Sequence, residues 1–263
     1  MSLNSSSAPE VISPMPEQRT PLRRRIILGV AFPVWVFLGF MLAQALILAL
    51  IAALQALGVS FDSFNATIVN AVGGVVIYGL AILLVLGLPW VVKRRKTTRE
   101  ELGLNRLPSW TDIAWTPVAM IGYLILTTIV MQIALQLLTF VDYEQTQQTG
   151  FSDIVSQSEY LLAFISLVVV APIAEEILFR GYLLGKLRKY APLWLSILIT
   201  SALFAAVHFQ WNVAIDVFVL SIVLCLLRVW TGSLWTSIFL HMLKNGVAYY
   251  FLFINPSLLS TMG

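Results

Sequence analysis

The chain has 263 residues, of which 59% are hydrophobic and 11% charged, with a mean hydropathy of +0.88. Soluble domains carry about 25% charged residues, so this composition excludes a soluble globular domain and leaves a polytopic membrane protein. The net charge of +3 does not point to nucleic acid, because the Lys and Arg residues flank apolar segments. The single cysteine, Cys225, lies inside an apolar run, which excludes a disulfide framework and a thiolate metal site.

Taken in order, residues 1–25 read as a disordered cytoplasmic tail, with Met1–Thr20 rich in Ser, Pro and Glu. A cleaved signal peptide is not expected, since the apolar run after Arg25 is too long for an h-region. The expected fold class is all-α, a polytopic transmembrane helix bundle of about seven spanning helices. The predicted segments are Ile27–Leu57, starting as an interfacial turn near Pro33, and Ala66–Val92, broken late by Pro89. After them come Trp115–Val141, Tyr160–Phe179 with an amphipathic extension to Tyr190, Pro192–His208, Val213–Trp230 and Leu234–Ile254. Residues 26–92 thus form two N-terminal membrane helices, 93–114 a basic cytoplasmic loop and 115–263 a membrane core. The loop Lys93–Asp112 reads as a topology signal whose helix lies on anionic headgroups. No repeat of fixed period is present.

The positive-inside rule orients the bundle. Arg19, Arg23, Arg24 and Arg25, then Lys93 to Arg106, then Lys186, Arg188 and Lys189, then Arg228, all fall on one side. The opposite loops hold Asp62, Asp142, Glu144, Asp153 and Glu159 and no Lys or Arg. The N-terminus is therefore expected in the cytoplasm, and the short loops suggest a prokaryotic plasma membrane. Asn65-Ala66-Thr67 matches a glycosylation sequon, read as a chance match.

The most informative stretch is Ala171 to Arg180, where Glu175, Glu176 and Arg180 end an apolar run, Leu161–Ala174, of fourteen residues without a charge. A charge at a membrane helix centre costs roughly 2.5 to 3.5 kcal/mol on insertion scales. Glu176 and Arg180 share a helix face at i, i+4 with the acid N-terminal, the favoured order, so they are expected to pair. Glu175 is turned about 100° away and is left free. The chain's two histidines, His208 and His241, also lie in apolar segments, and His241 shares a face with Asn245. Asp216 and Lys244 are expected to pair across the sixth and seventh segments as a structural contact.

These residues form three patterns in order: E-E-x-x-x-R at Glu175, Glu176 and Arg180, F-x-x-x-H at Phe204 and His208, and H-x-x-x-N at His241 and Asn245. Each sits on its own membrane segment, and together they resemble the CAAX-processing and bacteriocin-processing (CPBP) intramembrane endopeptidases. The flanks Phe179-Arg180-Gly181, Thr231-Gly232-Ser233-Leu234-Trp235 and Glu101-Leu102-Gly103-Leu104 are also similar, so the resemblance spans roughly Thr98–Gly246. Each pattern alone is weak; three in order at helical spacing are specific.

Peptide hydrolysis needs an activated water and donors for the oxyanion. Here Glu175 is expected to be the general base and His208 to hold the water and pass a proton to the leaving amine. His241 and Asn245 would stabilise the oxyanion, with Glu176, Arg180 and Phe204 in support. The resemblance implies the same roles for the first Glu, both His and the Asn. It also carries the label metalloprotease, and Glu175, His208 and His241 could bind zinc. Metal-independent glutamate catalysis with no cofactor is favoured, because no His-Glu-x-x-His pair occurs and no second carboxylate is evident behind the histidines. One tension concerns depth. A full-length sixth helix would push His208 away from Glu175 unless the fifth helix is short or tilted. The expected partners are the lipid bilayer and a membrane-associated protein or peptide substrate. The alternatives are a non-catalytic immunity or scaffold protein and a small proton-coupled transporter, which the buried acid and histidines would also suit.

Overall fold

The computed structural model describes residues 21–61, 64–143, 145, 148–151 and 154–258. The expected tail Met1–Thr20, which includes Arg19, and the acidic residues Asp62, Glu144 and Asp153 lie outside them. The described residues form helices and connecting turns: α1 (Leu22–Ala56), α2 (Ala66–Lys93), α3 (Arg99–Leu102), α4 (Trp110–Leu137), α5 (Gln157–Leu187), α6 (Leu193–Ala206), α7 (Trp211–Thr231) and α8 (Trp235–Ile254). Six of these helices are long and apolar enough to cross a membrane. The seventh apolar helix, α6, has 14 residues and is about 21 Å long, short of a bilayer's roughly 30 Å hydrocarbon core. This shortness resolves the depth tension, because α7 is full length while His208 is carried in the turn just beyond the end of α6.

The helix starts follow ordinary capping chemistry. Asn65, Thr98, Ser109 and Ser156 each accept a backbone N–H of the first turn, and the last three close capping boxes with Glu101, Asp112 and Glu159. Asn65 also donates its side-chain amide to Glu159, pinning the start of α2 to the start of α5. The amide of the sequon is therefore already engaged in a structural contact.

Two expectations about helix ends are corrected. α1 begins at Leu22 and runs through Pro33 without an interfacial turn, so residues 22–25 are helix and not tail. Pro89 does not break α2. The chain instead widens into a π-helical stretch, Leu83–Gly87, and continues to Lys93. A proline cannot donate to the carbonyl four residues back; here that carbonyl, on Val85, accepts the Trp35 indole N–H from α1 at 3.0 Å. α5 handles Pro172 in the same way. Ala171 donates back five residues to Ser166, Pro172 has no N–H for Leu167, and the Leu167 carbonyl accepts the Asn245 amide from α8 at 2.9 Å. Membrane helices tolerate proline when neighbours satisfy the freed group in this manner.

α5 is the central element: 44% of its apolar stretch is buried, against 11% for α2 and for α4, whose outer faces present Val, Ile and Leu as a lipid-facing surface would. Its buried Leu178, Phe179 and Leu183 meet Val36 and Ala43 of α1, Ala81 and Val85 of α2 and Phe204 of α6. Tyr123 of α4, Leu220 and Leu224 of α7 and Leu240 of α8 make a second cluster.

The loop after α2, expected as a topology signal with a helix on anionic headgroups, packs on the helix ends beneath it. Leu102 is buried against Gly181, where an added Cβ would meet its Cδ2 at 3.0 Å. Gly103, at φ +79°, accepts the Leu234 N–H at the start of α8, and a Cβ there would strike the Arg228 guanidinium. Glu101 binds Lys186 and Lys189 at 3.1 and 2.9 Å, and the Trp235 indole donates to the Arg106 carbonyl. The buried Asp112 takes Arg106, Ser109 and Thr236 together, locking the start of α4 to α8. The three sequence flanks around Glu101, Gly181 and Gly232 are thus one interlocked joint at the basic end of the bundle.

Candidate active site

Glu175 and Glu176 sit in a six-residue α-helical stretch, Ala171–Glu176, between two π-helical stretches of α5, Ile165–Val170 and Ile177–Leu183. Such π-helical insertions are frequent at functional sites. Arg180 Nη1 donates to Glu176 Oε1 at 2.8 Å, and both side chains are fully buried. The guanidinium also lies over the Phe204 ring, 4.1 Å from its centroid, a favourable cation–π position.

Glu176 has a second partner. Its Oε1 accepts His241 Nδ1 at 2.8 Å. A carboxylate paired with Arg180 can only accept, so Nδ1 carries the proton and Nε2 faces the other way. That face holds Glu175, with Oε2 at 3.7 Å from His241 Nε2. The expectation that no carboxylate lies behind the histidines is therefore wrong. Glu176 fills that position, although its pairing with Arg180 had accounted for it in full.

Glu175 is buried apart from a small exposed fraction of its side chain, 11%. Its other oxygen accepts the Tyr78 hydroxyl from α2. No Lys or Arg among the described residues pairs with it. Tyr78 is the contact that sequence reasoning missed. It belongs to the N-terminal helix pair, which the sequence separated from the core.

His208 lies beyond the last turn of α6, with Nδ1 2.7 Å from the Phe204 carbonyl. Nδ1 is therefore the donor and Nε2 is left available. Phe204 supports both imidazoles, its centroid 5.0 Å from that of His208 and 5.8 Å from that of His241, and it packs edge-on against Phe179 at 5.0 Å. The Phe204 ring thus links His208 to His241. Asn245, one turn beyond His241, spends one amide hydrogen on Leu167. Lys244 binds Asp216 at 3.0 Å, and Asp216 also accepts from Tyr123 and Thr127, so both charges are tied into an α4–α7–α8 network. The site thus brings Glu175, Glu176, Arg180, Phe204 and His241 into direct contact, with His208 and Asn245 at its margins.

Part of this donor set has the spacing of a zinc site. Glu175 Oε2 and His241 Nε2, 3.7 Å apart, are close to the roughly 3.4 Å separation of two tetrahedral zinc ligands. Both histidines also have the Nδ1 partner that metal ligands usually have. However, no three His, Cys, Asp or Glu side chains among the described residues are arranged to hold a metal ion. His208 does not complete the set, so the residues do not fit a three-ligand zinc centre.

Comparison with known proteins bears on the same helices. The family described as Type II CAAX prenyl endopeptidase Rce1-like matches residues 157–247, from the start of α5 into α8. An uncharacterized 24.3 kDa protein of Escherichia coli is 34% identical over 89 residues, 32% of this chain and 41% of that one. The UPF0177 protein YxdF of Lactococcus lactis is 31% identical over 134 residues, 50% of this chain and 70% of that one. The membrane-embedded CAAX protease MroQ of Staphylococcus aureus is 23% identical over 174 residues, 64% of this chain and 69% of that one. The chain thus spans less than half of the E. coli relative and about 70% of the other two. No solved structure matches it. The matched segment carries all three polar patterns, and the chain is a multi-pass integral membrane protein that belongs to the CPBP family.

Proposed function

We propose that the protein is an intramembrane endopeptidase that hydrolyses a peptide bond of a membrane-associated protein or peptide, with water activated by Glu175. The observation that carries this reading is the setting of Glu175. It is a nearly buried carboxylate with no cationic lysine or arginine partner, held by the Tyr78 hydroxyl on one oxygen and turned towards His241 Nε2 with the other.

A water about 2.8 Å from both Glu175 Oε2 and His241 Nε2 bridges that gap with ordinary hydrogen bonds. Glu175 removes its proton as it attacks the scissile carbonyl. His241, its ring fixed by Glu176 and its Nε2 also carrying a proton before the water binds, donates to that water and then to the tetrahedral oxyanion. The second amide hydrogen of Asn245 adds a further donor. His208 Nε2 accepts the proton that Glu175 has taken from the water and delivers it to the leaving amine as the peptide bond breaks. No step is routed through a metal ion.

The basic end of the bundle faces the cytoplasm in this reading, which puts the N-terminus inside and the C-terminus outside. The test of function is a comparison of protein termini in membranes holding the wild type and Glu175→Gln. Peptide termini generated within or beside membrane segments should appear only with the wild type. Identical termini in both, with the variant folded and equally abundant, would remove the assignment.

A further inference from the structure

A second concave site opens at the basic end of the bundle, away from Glu175. It is a cavity of about 830 Å³ between the start of α1, the end of α2 and the end of α5. Its floor is apolar and aromatic, built by Phe32 and Trp35 of α1, Leu88 and Val92 of α2, Tyr182 of α5 and Tyr190 of the turn that follows α5. Phe32 stacks on Tyr190 at 5.9 Å and meets Tyr182 edge-on at 6.3 Å, so these walls are preformed. The floor runs on into exposed Leu88 and Val92, which belong to the lipid-facing side of α2.

The rim has the opposite character. Lys93, Arg94, Arg95 and Lys96 line it from one side, Lys186 and Lys189 from the other, and Glu101 is the one carboxylate among the lining residues. Lys186 of α5 and Lys189 just beyond it are already bound to Glu101. Lys93 at the end of α2 and Arg94, Arg95 and Lys96 after it have no carboxylate partner among the described residues. The carbonyl ends of α2 and α5 account for some positive charge here, but six cations against one carboxylate exceed that need.

We propose that this cavity binds an anionic phospholipid, with the phosphate among Lys93, Arg95 and Lys96 and the upper acyl chains over Phe32, Trp35 and Val92. A free anion would use the rim and leave the aromatic floor idle; a neutral lipid would use the floor and leave the cations idle. The position suits the ligand, since basic pockets between membrane helices at this level receive anionic headgroups. A lipid held here bridges α1, α2 and α5 beside the Glu101 clamp. The inference is independent of the endopeptidase reading.

The test uses the full chain purified in a neutral detergent, titrated with phosphatidylglycerol, phosphatidylcholine or inorganic phosphate, with bound lipid counted by native mass spectrometry and thermal unfolding followed in parallel. Phosphatidylglycerol should be retained and should raise the unfolding temperature, as any ligand selective for the folded state does. Lys93→Gln with Arg95→Gln should weaken its apparent affinity on the order of tenfold or more. Arg23→Gln with Arg24→Gln removes the same charge from exposed positions outside the cavity and should leave the affinity unchanged. Equal losses in the two double variants would reduce the effect to general surface charge and overturn the proposal. Equal retention of phosphatidylcholine, or full stabilisation by inorganic phosphate alone, would overturn it as well.

Discussion

Glu176 and His241 meet at 2.8 Å across α5 and α8, and the same carboxylate oxygen receives Arg180 at 2.8 Å. One buried acid therefore neutralises a buried arginine and sets the tautomer of an imidazole that faces Glu175. Removing one partner from a buried pair leaves an uncompensated charge and costs about 3–5 kcal/mol. Glu176→Gln should accordingly lower the unfolding temperature strongly and abolish cleavage. Adding Arg180→Met should recover most of the stability, because no charge is then stranded, while cleavage stays lost because His241 has no anion behind it. Recovery of cleavage in the double variant would show that Glu176 acts only as a structural counter-ion.

Tyr78 offers a cleaner perturbation. Its hydroxyl donates to Glu175, and a hydrogen bond to a charged group contributes about 1.5–3 kcal/mol. If that contact positions the base during reaction, Tyr78→Phe should slow turnover by roughly ten- to a hundredfold. The fold should be nearly undisturbed, because the ring still packs on Phe40 at 6.1 Å between centroids. Unchanged turnover in the folded variant would make Tyr78 a packing residue.

What could be read without coordinates follows from the cost of polar groups in lipid. Glu176–Arg180 and Asp216–Lys244 were legible because a charge inside an apolar run needs a partner, and few partners were available. Tyr78 was not legible, since a tyrosine in an apolar helix looks like packing and its acceptor lies 97 residues away. The second role of Glu176 was hidden by the first: an arginine at i+4 already explained it. Pro89 reads as a helix break because the donor that repairs it, Trp35, comes from another helix, as Asn245 does for Pro172. The loop after α2 has the composition of a free basic segment. Only the fold shows Leu102 seated on Gly181.

That seating gives the loop a pH signature. Partial burial alone would raise the Glu101 carboxyl, but hydrogen bonds from Lys189 and Lys186 outweigh it and hold the pKa at about 2. The folded value lies below the unfolded one, near 4.5, so the contribution to stability is fully present above that pH. It is lost as pH falls from there through about 2. Hydrogen exchange of residues 99–103 should therefore show weaker protection at pH 3 than at pH 6, after correction for intrinsic rates. Glu101→Gln should remove most of this difference. A difference that persists undiminished in the variant would place the sensitivity elsewhere.

Metal removal separates the two hydrolytic chemistries. Glu175 and His241 are spaced as two zinc ligands would be, but the third ligand is missing from the arrangement. Glutamate-activated water then predicts that cleavage survives prolonged treatment with a strong zinc chelator, and that the active protein carries far less than one zinc per chain by elemental analysis. Loss of cleavage on chelation, restored by added zinc, would reverse this assignment and make Glu175, His208 and His241 ligands.

Asn245 poses the sharpest question, because structure alone gives it a reason to exist. It donates to the Leu167 carbonyl that Pro172 leaves without a helical donor. An unsatisfied buried carbonyl costs about 1–3 kcal/mol, so Asn245→Ala should destabilise the protein whatever its chemical role. Pro172→Ala supplies a backbone N–H to the widened turn and should repair much of that loss in the double variant. The two roles then part. If Asn245 serves only the carbonyl, repairing the helix also restores cleavage. If its second amide hydrogen stabilises the oxyanion, the double variant is well folded and still slow by about a hundred- to a thousandfold, the usual cost of one oxyanion donor. We expect the second result, measured as unfolding temperature and cleavage rate on the single and double variants together. A stable double variant with near wild-type turnover would leave Asn245 as a helix repair and leave His241 as the oxyanion donor.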